Sequence, residues 1–188
     1  RDWRMQNLYT VINEYGDRQK YTRRPAQEKY AAEAWSLDVI VKARQLGFST
    51  EIAVDICDAC VFNKNFSAGI IDWTLDDAKL KLKKIKTAYH GLPQHIKDIV
   101  YLTKDNEAEI WFSNGSSVEV GTSHRGGTLQ YLHISEFGKI AAEKPDLAKE
   151  IITGGMRTVA PGMRIKVEST AHGTHGAFYD IVRRAEAA

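Results

Sequence analysis

Cysteine is nearly absent: Cys57 and Cys60 are the only two in 188 residues. A lone C-x-x-C reads as a redox pair or half a zinc site, and no second pair completes four ligands. Both fall in a helical pattern, so they are expected to pack a helix in a reducing compartment. No apolar run approaches the roughly 18 residues of a membrane span, and no signal peptide opens at Arg1. Excess charge is missing as well. The net charge of +2 is too small to hold DNA by bulk electrostatics, so any DNA contact needs a local patch. No internal repeat or low-complexity linker divides the chain. Its length reads as one domain, able to bury a core without disulfides or metal. The H-x-x-H of His172 and His175 lacks the helical face and Glu of a metalloprotease motif. These histidines are expected near phosphate or lining their loop. A starting Met is missing and the chain stops in Arg184-Ala-Glu-Ala-Ala188, as expected of a fragment.

What is present begins with Lys42-Ala-Arg-Gln-Leu-Gly-Phe-Ser-Thr50. It follows the strand-like Leu37-Asp-Val-Ile-Val41 and opens a helical pattern with Ile52, Ile56 and Cys60 on one face. Strand, tight loop and helix form the context of a phosphate-binding loop, whose usual pattern is G-x-x-x-x-G-K-[ST]. Gly47 and Ser49 match that pattern. Phe48 stands at the lysine position and Lys42 at the first glycine. Backbone amides and the helix dipole at such a loop attract phosphate, and Gly47 permits close approach. Ser49 or Thr50 can offer a hydroxyl to Mg²⁺. Lys42 and Arg44 are the only cations in the loop, so phosphate neutralisation falls to them. Taken alone, the segment leaves an ordinary strand-to-helix turn open.

Leu129-Gln-Tyr-Leu-His-Ile-Ser-Glu136 is an apolar strand ending in a carboxylate, and Met163-Arg-Ile-Lys-Val-Glu-Ser-Thr170 is a strand ending in hydroxyls. Open α/β sheets bind ligands at the carboxyl ends of their strands, so these ends suit one shared site. Residues 1–33 read as helical and irregular, with Trp3, Tyr9, Tyr15, Tyr21 and Tyr30 expected in surface packing and stacking of one of them on adenine left open. A second strand is predicted at 68–73. Thr74-Leu-Asp-Asp77 then starts a helix, with Leu75, Ala78, Leu82, Ile85 and Tyr89 on one stripe. Lys79, Lys81, Lys83, Lys84 and Lys86 lie on its other face, a solvated surface or a DNA-backbone contact. Gly91-Leu-Pro93 ends that helix. Residues 108–112 and 117–120 flank Asn114-Gly115, a hairpin signal. A helix over 145–152 is closed by Gly154-Gly155, and a last helix follows Gly176. The alternation predicts an α/β fold: a mostly parallel sheet with helices on both faces and an antiparallel hairpin.

The motifs resemble the ATPase domain of a tailed-phage terminase large subunit over about residues 20–180. The 42–50 loop resembles that family's variant Walker A, with the lysine at the loop start. Leu132-His-Ile-Ser-Glu-Phe-Gly138 resembles its Walker B, Glu168-Ser-Thr-Ala171 its coupling motif, and Arg24-Pro-Ala-Gln27 its adenine-recognising Q motif. The resemblance implies a P-loop NTPase of the RecA-like type, with an additional strand and a catalytic glutamate. Residues 1–33 would be a lead-in and 34–188 the ATPase core. The nuclease domain of such subunits would be absent, and no nuclease activity is expected from this chain.

By the same resemblance, ATP and Mg²⁺ are the cofactors. Gln27 would read adenine, and Lys42, Arg44, Gln45, Leu46, Gly47, Phe48, Ser49 and Thr50 would form the nucleotide loop. Glu136 would polarise the attacking water. Ser169 and Thr170 would sense the γ-phosphate and couple its loss to motion. Arg125 would act in trans as a finger, a role worth about 10³–10⁵ in rate. Ser135 stands where most of these ATPases have Asp. It can reach a metal only through water, so weaker Mg²⁺ binding or a second-shell carboxylate from elsewhere is expected. Implied partners are double-stranded DNA, a portal protein, the small terminase subunit and further copies in a ring, in the host bacterial cytoplasm and at the procapsid portal, with no membrane. A nucleotide-dependent assembly module and a helicase-like ATPase stay open as alternatives.

Overall fold

The computed structural model of the chain describes residues 1–124 and 126–187. Helix α1 (Asp2–Leu8), a small hairpin of β1 (Thr10–Ile12) and β2 (Arg18–Lys20), and α2 (Pro25–Glu33) lead in. Then come β3 (Leu37–Val41), α3 (Phe48–Phe62), β4 (Ser67–Ile71), α4 (Leu75–His90) and α5 (Gln94–Ile99). The meander β5 (Leu102–Asp105), β6 (Glu109–Phe112) and β7 (Ser117–Gly121) follows. The chain continues through β8 (Leu129–Ser135), α6 (Phe137–Glu143), α7 (Pro145–Thr153), β9 (Val159–Ser169) and α8 (Ala177–Glu186).

Seven strands form one sheet in the order β3-β9-β8-β4-β7-β6-β5. The first five are parallel neighbours, and β6 and β5 add antiparallel to the edge. The alternation of strands and helices anticipated this sheet and its hairpin. β9 lies between the strand that feeds the loop, β3, and the strand that delivers Glu136, β8. That is the additional strand of the expected fold type.

Strand parity sorts the two faces. Ile40, Ile70 and Tyr131 pack with α3 and α4 in one cluster. Ile71, Leu132, Ile134 and Val167 pack with α6, α7 and α8 in the other. Thr74 caps α4, its Oγ1 accepting from the Asp77 amide at 3.1 Å. Leu75 is 43% exposed, a departure from the predicted stripe. It is the first helical residue and precedes the turns that settle on the sheet, whereas Ala78, Leu82, Ile85 and Tyr89 are buried.

Residues 1–33 are more ordered than their sequence suggests. Met5, Tyr9 and Tyr21 are buried in the α3-side cluster, while Trp3 and Tyr15 are exposed. The reason lies in α3, which buries Glu51, Asp55 and Asp58 among its apolar residues. Arg23 Nε donates to Glu51 at 3.0 Å and Arg4 reaches Asp58 at 2.8 Å. Buried carboxylates need such partners, and the lead-in supplies them. β5 and α5 also escaped the reading of the sequence. Both are short, and neither has a buried face of its own, as the burial of their residues shows. Cys57 and Cys60 are free thiols buried in α3, and burial pushes both thiols up, as expected of packing residues. Among the described residues, no helix is long and apolar enough to cross a membrane.

Candidate nucleotide site

The carboxyl ends of β3, β9 and β8 lie side by side, and the loop 42–47 runs from β3 to the start of α3. Gly47 is the α3 N-cap in the left-handed region at φ 79°, with no side chain capping the helix. The first amides of the helix therefore face the loop, as a phosphate cradle needs. Gln45 is also left-handed, at φ 63°. A non-glycine residue held there stores strain of a kind concentrated at functional sites.

Phe48 does not substitute for the missing lysine. It is 6% exposed and meets the Tyr30 ring edge-on at 5.6 Å. The charge comes instead from Lys42. Its position two residues beyond Ile40 points it to the α3 face. Its Nζ lies 3.3 Å from Glu136 Oε1 and 3.7 Å from Glu168 Oε2. Arg44 is exposed beside it and lines the same cavity. Leu46 packs against the core.

Two cavities flank the loop. The larger, about 530 Å³, is bounded by the β1–β2 hairpin, Tyr21, Arg24, Gln27, Lys42, residues 45–50 and Lys84. Its size lies within the usual range for ligand sites. The smaller, about 340 Å³, is bounded by Lys42, Arg44, Gln45, Asp72, Trp73, Asp77, Lys81, Glu136, Lys139 and Thr170. Lys42 and Gln45 border both. Glu136 is the N-cap of α6 and is left-handed, at φ 51°. The strained turn aims its partly exposed carboxylate at the smaller cavity.

Glu168 holds the centre of this arrangement, a role that sequence reasoning missed. It is fully buried and pairs in register with Ser135. Ser49 Oγ donates to its Oε1 at 2.8 Å and Ser135 Oγ at 3.3 Å, and His133 Nε2 lies 3.1 Å away. Burial alone pushes this carboxyl up. The hydrogen bond and charge of His133, with Lys42 and the Ser49 hydroxyl, outweigh it and hold the group down at about 2. One signal was available: Ser135 brings no charge where the resembled motif has a carboxylate.

Several sequence expectations change in detail. Gln27 is buried, and its amide is already engaged. Its Nε2 donates to Gly47 O at 2.8 Å and its Oε1 accepts from the Arg24 amide at 2.7 Å. In this conformation it braces the loop and caps α2. Ser169 is equally committed, its Oγ accepting from the Gly138 amide at 3.0 Å, so only Thr170 faces the cavity. The lysine face of α4 is largely paired. Lys81 reaches Asp72 at 2.7 Å, Lys79 reaches Glu107 at 3.2 Å, and Lys86 pairs with Asp105. Lys84 donates to Thr50 Oγ1 at 3.3 Å, which turns it toward the nucleotide loop. His172 and His175 are exposed. Arg125 lies outside the described residues.

No protein-family model and no curated protein matches the sequence. Solved structures do match. The bacteriophage HK97 large terminase aligns with a TM-score of 0.76 at 14% identity, over 97% of this chain and 40% of that one. The ATPase domain of the Thermus phage P74-26 large terminase aligns at 0.62 and 14%, over 85% of this chain and 69% of that one. The N-terminal domain of the bacteriophage phi29 DNA packaging ATPase aligns at 0.52 and 14%, over 86% of each. The chain thus spans 40% of the length of the HK97 protein. With identity this low the likeness is one of fold: the chain shares the α/β fold of the phage large terminase ATPase domains.

Proposed function

We propose that the chain is the motor domain of a terminase large subunit, hydrolysing ATP to drive double-stranded DNA into a viral procapsid. The observation that carries this reading is the convergence at one sheet end. The loop after β3 borders both cavities, and Thr170 just after β9 and Glu136 after β8 border the smaller of them. Adenine would lie in the larger cavity beside the β1–β2 hairpin. Gln27 would reach it through the second hydrogen of its Nε2 or the remaining lone pair of its Oε1, since one of each is engaged. The phosphates would lie on the first amides of α3, with Lys42 and Arg44 neutralising the terminal groups and Lys84 close by.

Glu136 would orient and polarise the attacking water. In this conformation its Oε1 is 3.3 Å from Lys42 Nζ, so a phosphate drawing Lys42 away would free the carboxylate for that work. Mg²⁺, when bound, would neutralise charge on the phosphates, with Ser49 as the loop hydroxyl. Thr170 would register the terminal phosphate. Ser169, tied to the Gly138 amide, would carry the change from β9 to α6. Arg125 would complete a neighbouring copy's site. The portal, the small subunit and a ring of copies at the procapsid are the partners of this reading, and the host cytoplasm is its setting.

The experiment compares Mg-ATP turnover and binding of a fluorescent ADP analogue in wild type, Glu136→Ala and Lys42→Ala. Glu136→Ala should lower turnover about 10²–10⁴-fold with analogue affinity kept. Lys42→Ala should weaken both. Equal turnover in all three, after contaminants are excluded, rules out these assignments.

A further inference from the structure

We infer that Glu168 on β9, rather than any residue of β8, supplies the carboxylate that organises Mg²⁺ beside Ser49. The inference rests on the nucleotide reading above. P-loop sites hold the ion between the loop hydroxyl and a carboxylate at the end of a nearby strand. Here β8 offers Ser135, which has no charge. Register partners on adjacent parallel strands project to the same face, and Ser135 is paired with Glu168. The carboxylate has therefore moved one strand toward the loop without leaving the face that looks at α3.

The contacts fit that role. Ser49 Oγ donates to Glu168 Oε1 at 2.8 Å, which ties the loop hydroxyl directly to the anion. Ser135 and His133 hold the same oxygen at 3.3 and 3.1 Å, fixing the carboxylate's orientation. The other oxygen, Oε2, is buried and accepts no hydrogen bond among the described residues. The nearest cation is Lys42 Nζ at 3.7 Å. An acceptor left this way in the interior is costly, and a donor such as metal-bound water would satisfy it.

Competing carboxylates are otherwise occupied. Asp72, just beyond β4, also has a buried Oδ2 without a hydrogen bond but sits 2.7 Å from Lys81 Nζ, and Asp77 accepts from the Thr74 hydroxyl at 2.6 Å. Glu136 turns to the smaller cavity. Among the described residues no cluster of three metal-ligating side chains exists. Mg²⁺ does not require one, because it is commonly held by one or two carboxylates together with waters and substrate phosphates.

The test measures affinity for the fluorescent ADP analogue in Mg²⁺ and in EDTA, alongside thermal melting. Wild type should bind more tightly with Mg²⁺. Glu168→Gln should reduce the Mg²⁺ enhancement, the ratio of affinity in Mg²⁺ to that in EDTA, about 10–100-fold. Ser135→Asp in the Glu168→Gln background should restore much of it by returning a carboxylate to β8. If Glu168→Gln does not fold, Glu168→Asp takes its place. It withdraws the carboxylate by one methylene and should reduce the same ratio. An enhancement unchanged in the folded variant overturns the inference and leaves the nucleotide reading standing. A wild type that binds no analogue, with or without Mg²⁺, overturns both.

Discussion

Gly47 shows how tightly the loop is drawn. Its φ of 79° lies in the left-handed region, and a Cβ there would come within 2.7 Å of Gln27 Nε2. Gly47→Ala would strain the turn and push away the amide that holds it. A loss of about 1–3 kcal/mol is expected, read from urea unfolding, together with weaker analogue binding. A variant as stable as wild type would show that the bracing contact is dispensable. Glu168 gives a second prediction at this scale. Its carboxyl is held at about 2 in the fold against an ordinary 4.5. A depressed carboxyl binds fewer protons in the folded than in the unfolded state, so stability falls as the pH falls. Its contribution is full above about pH 4.5 and disappears as the pH approaches 2. Acid titration should therefore cost wild type more stability than Glu168→Gln across that window. Parallel curves would mean the charge is not held as described.

At the scale of elements, α3 and the lead-in depend on each other. α3 carries three buried carboxylates on a helix that also forms the floor of the nucleotide loop. Arg23 is 4% exposed at its side chain and Glu51 1%. Burial and the nearby Asp55 push the Glu51 carboxyl up to about 8, so removing Arg23 leaves a buried, mostly protonated carboxyl short of a partner, at about 1–3 kcal/mol. Arg23→Met should show that loss in chemical denaturation. Arg23→Met with Glu51→Leu should recover most of it, because burying both as apolar groups removes the desolvation problem. Equal losses in the single and double variants would show that Arg23 acts through packing alone. The same dependence explains why 1–33 looked irregular in sequence. Its ordering signals are arginines and tyrosines matched to acids about 30–50 residues away, and no local period encodes such a match. The loop, the Thr74 cap and the Asn114-Gly115 hairpin were legible because their chemistry is local.

For the whole molecule, the site described is one chain's half of the proposed motor. If Arg125 serves a neighbour, turnover per chain should rise with protein concentration. Arg125→Ala and Glu136→Ala should each be inactive alone. Mixed, they should regain activity, since a Glu136→Ala copy can lend its Arg125 to a neighbour with an intact Glu136. Absence of any regain in assembled material would place the finger elsewhere or remove it. The lysines of α4 give no broad anionic-ligand surface at this scale, because several are paired within the chain. Contact with a DNA backbone would have to displace those pairs or use another patch.

The order of apolar strands and amphipathic helices, with glycines and caps between them, determined the α/β sheet and the place of the loop between β3 and α3. Each of those features is decided within a few residues by periodicity and turn geometry. Which charges meet was decided only by the tertiary structure. The insertion of β9 between β3 and β8 puts Glu168 against Ser49, 119 residues away in sequence. It also carries Lys42 to both Glu136 and Glu168. Neighbouring strands sit roughly 5 Å apart whatever their separation along the chain, so the sheet, and not sequence proximity, brought Glu168 to the loop hydroxyl.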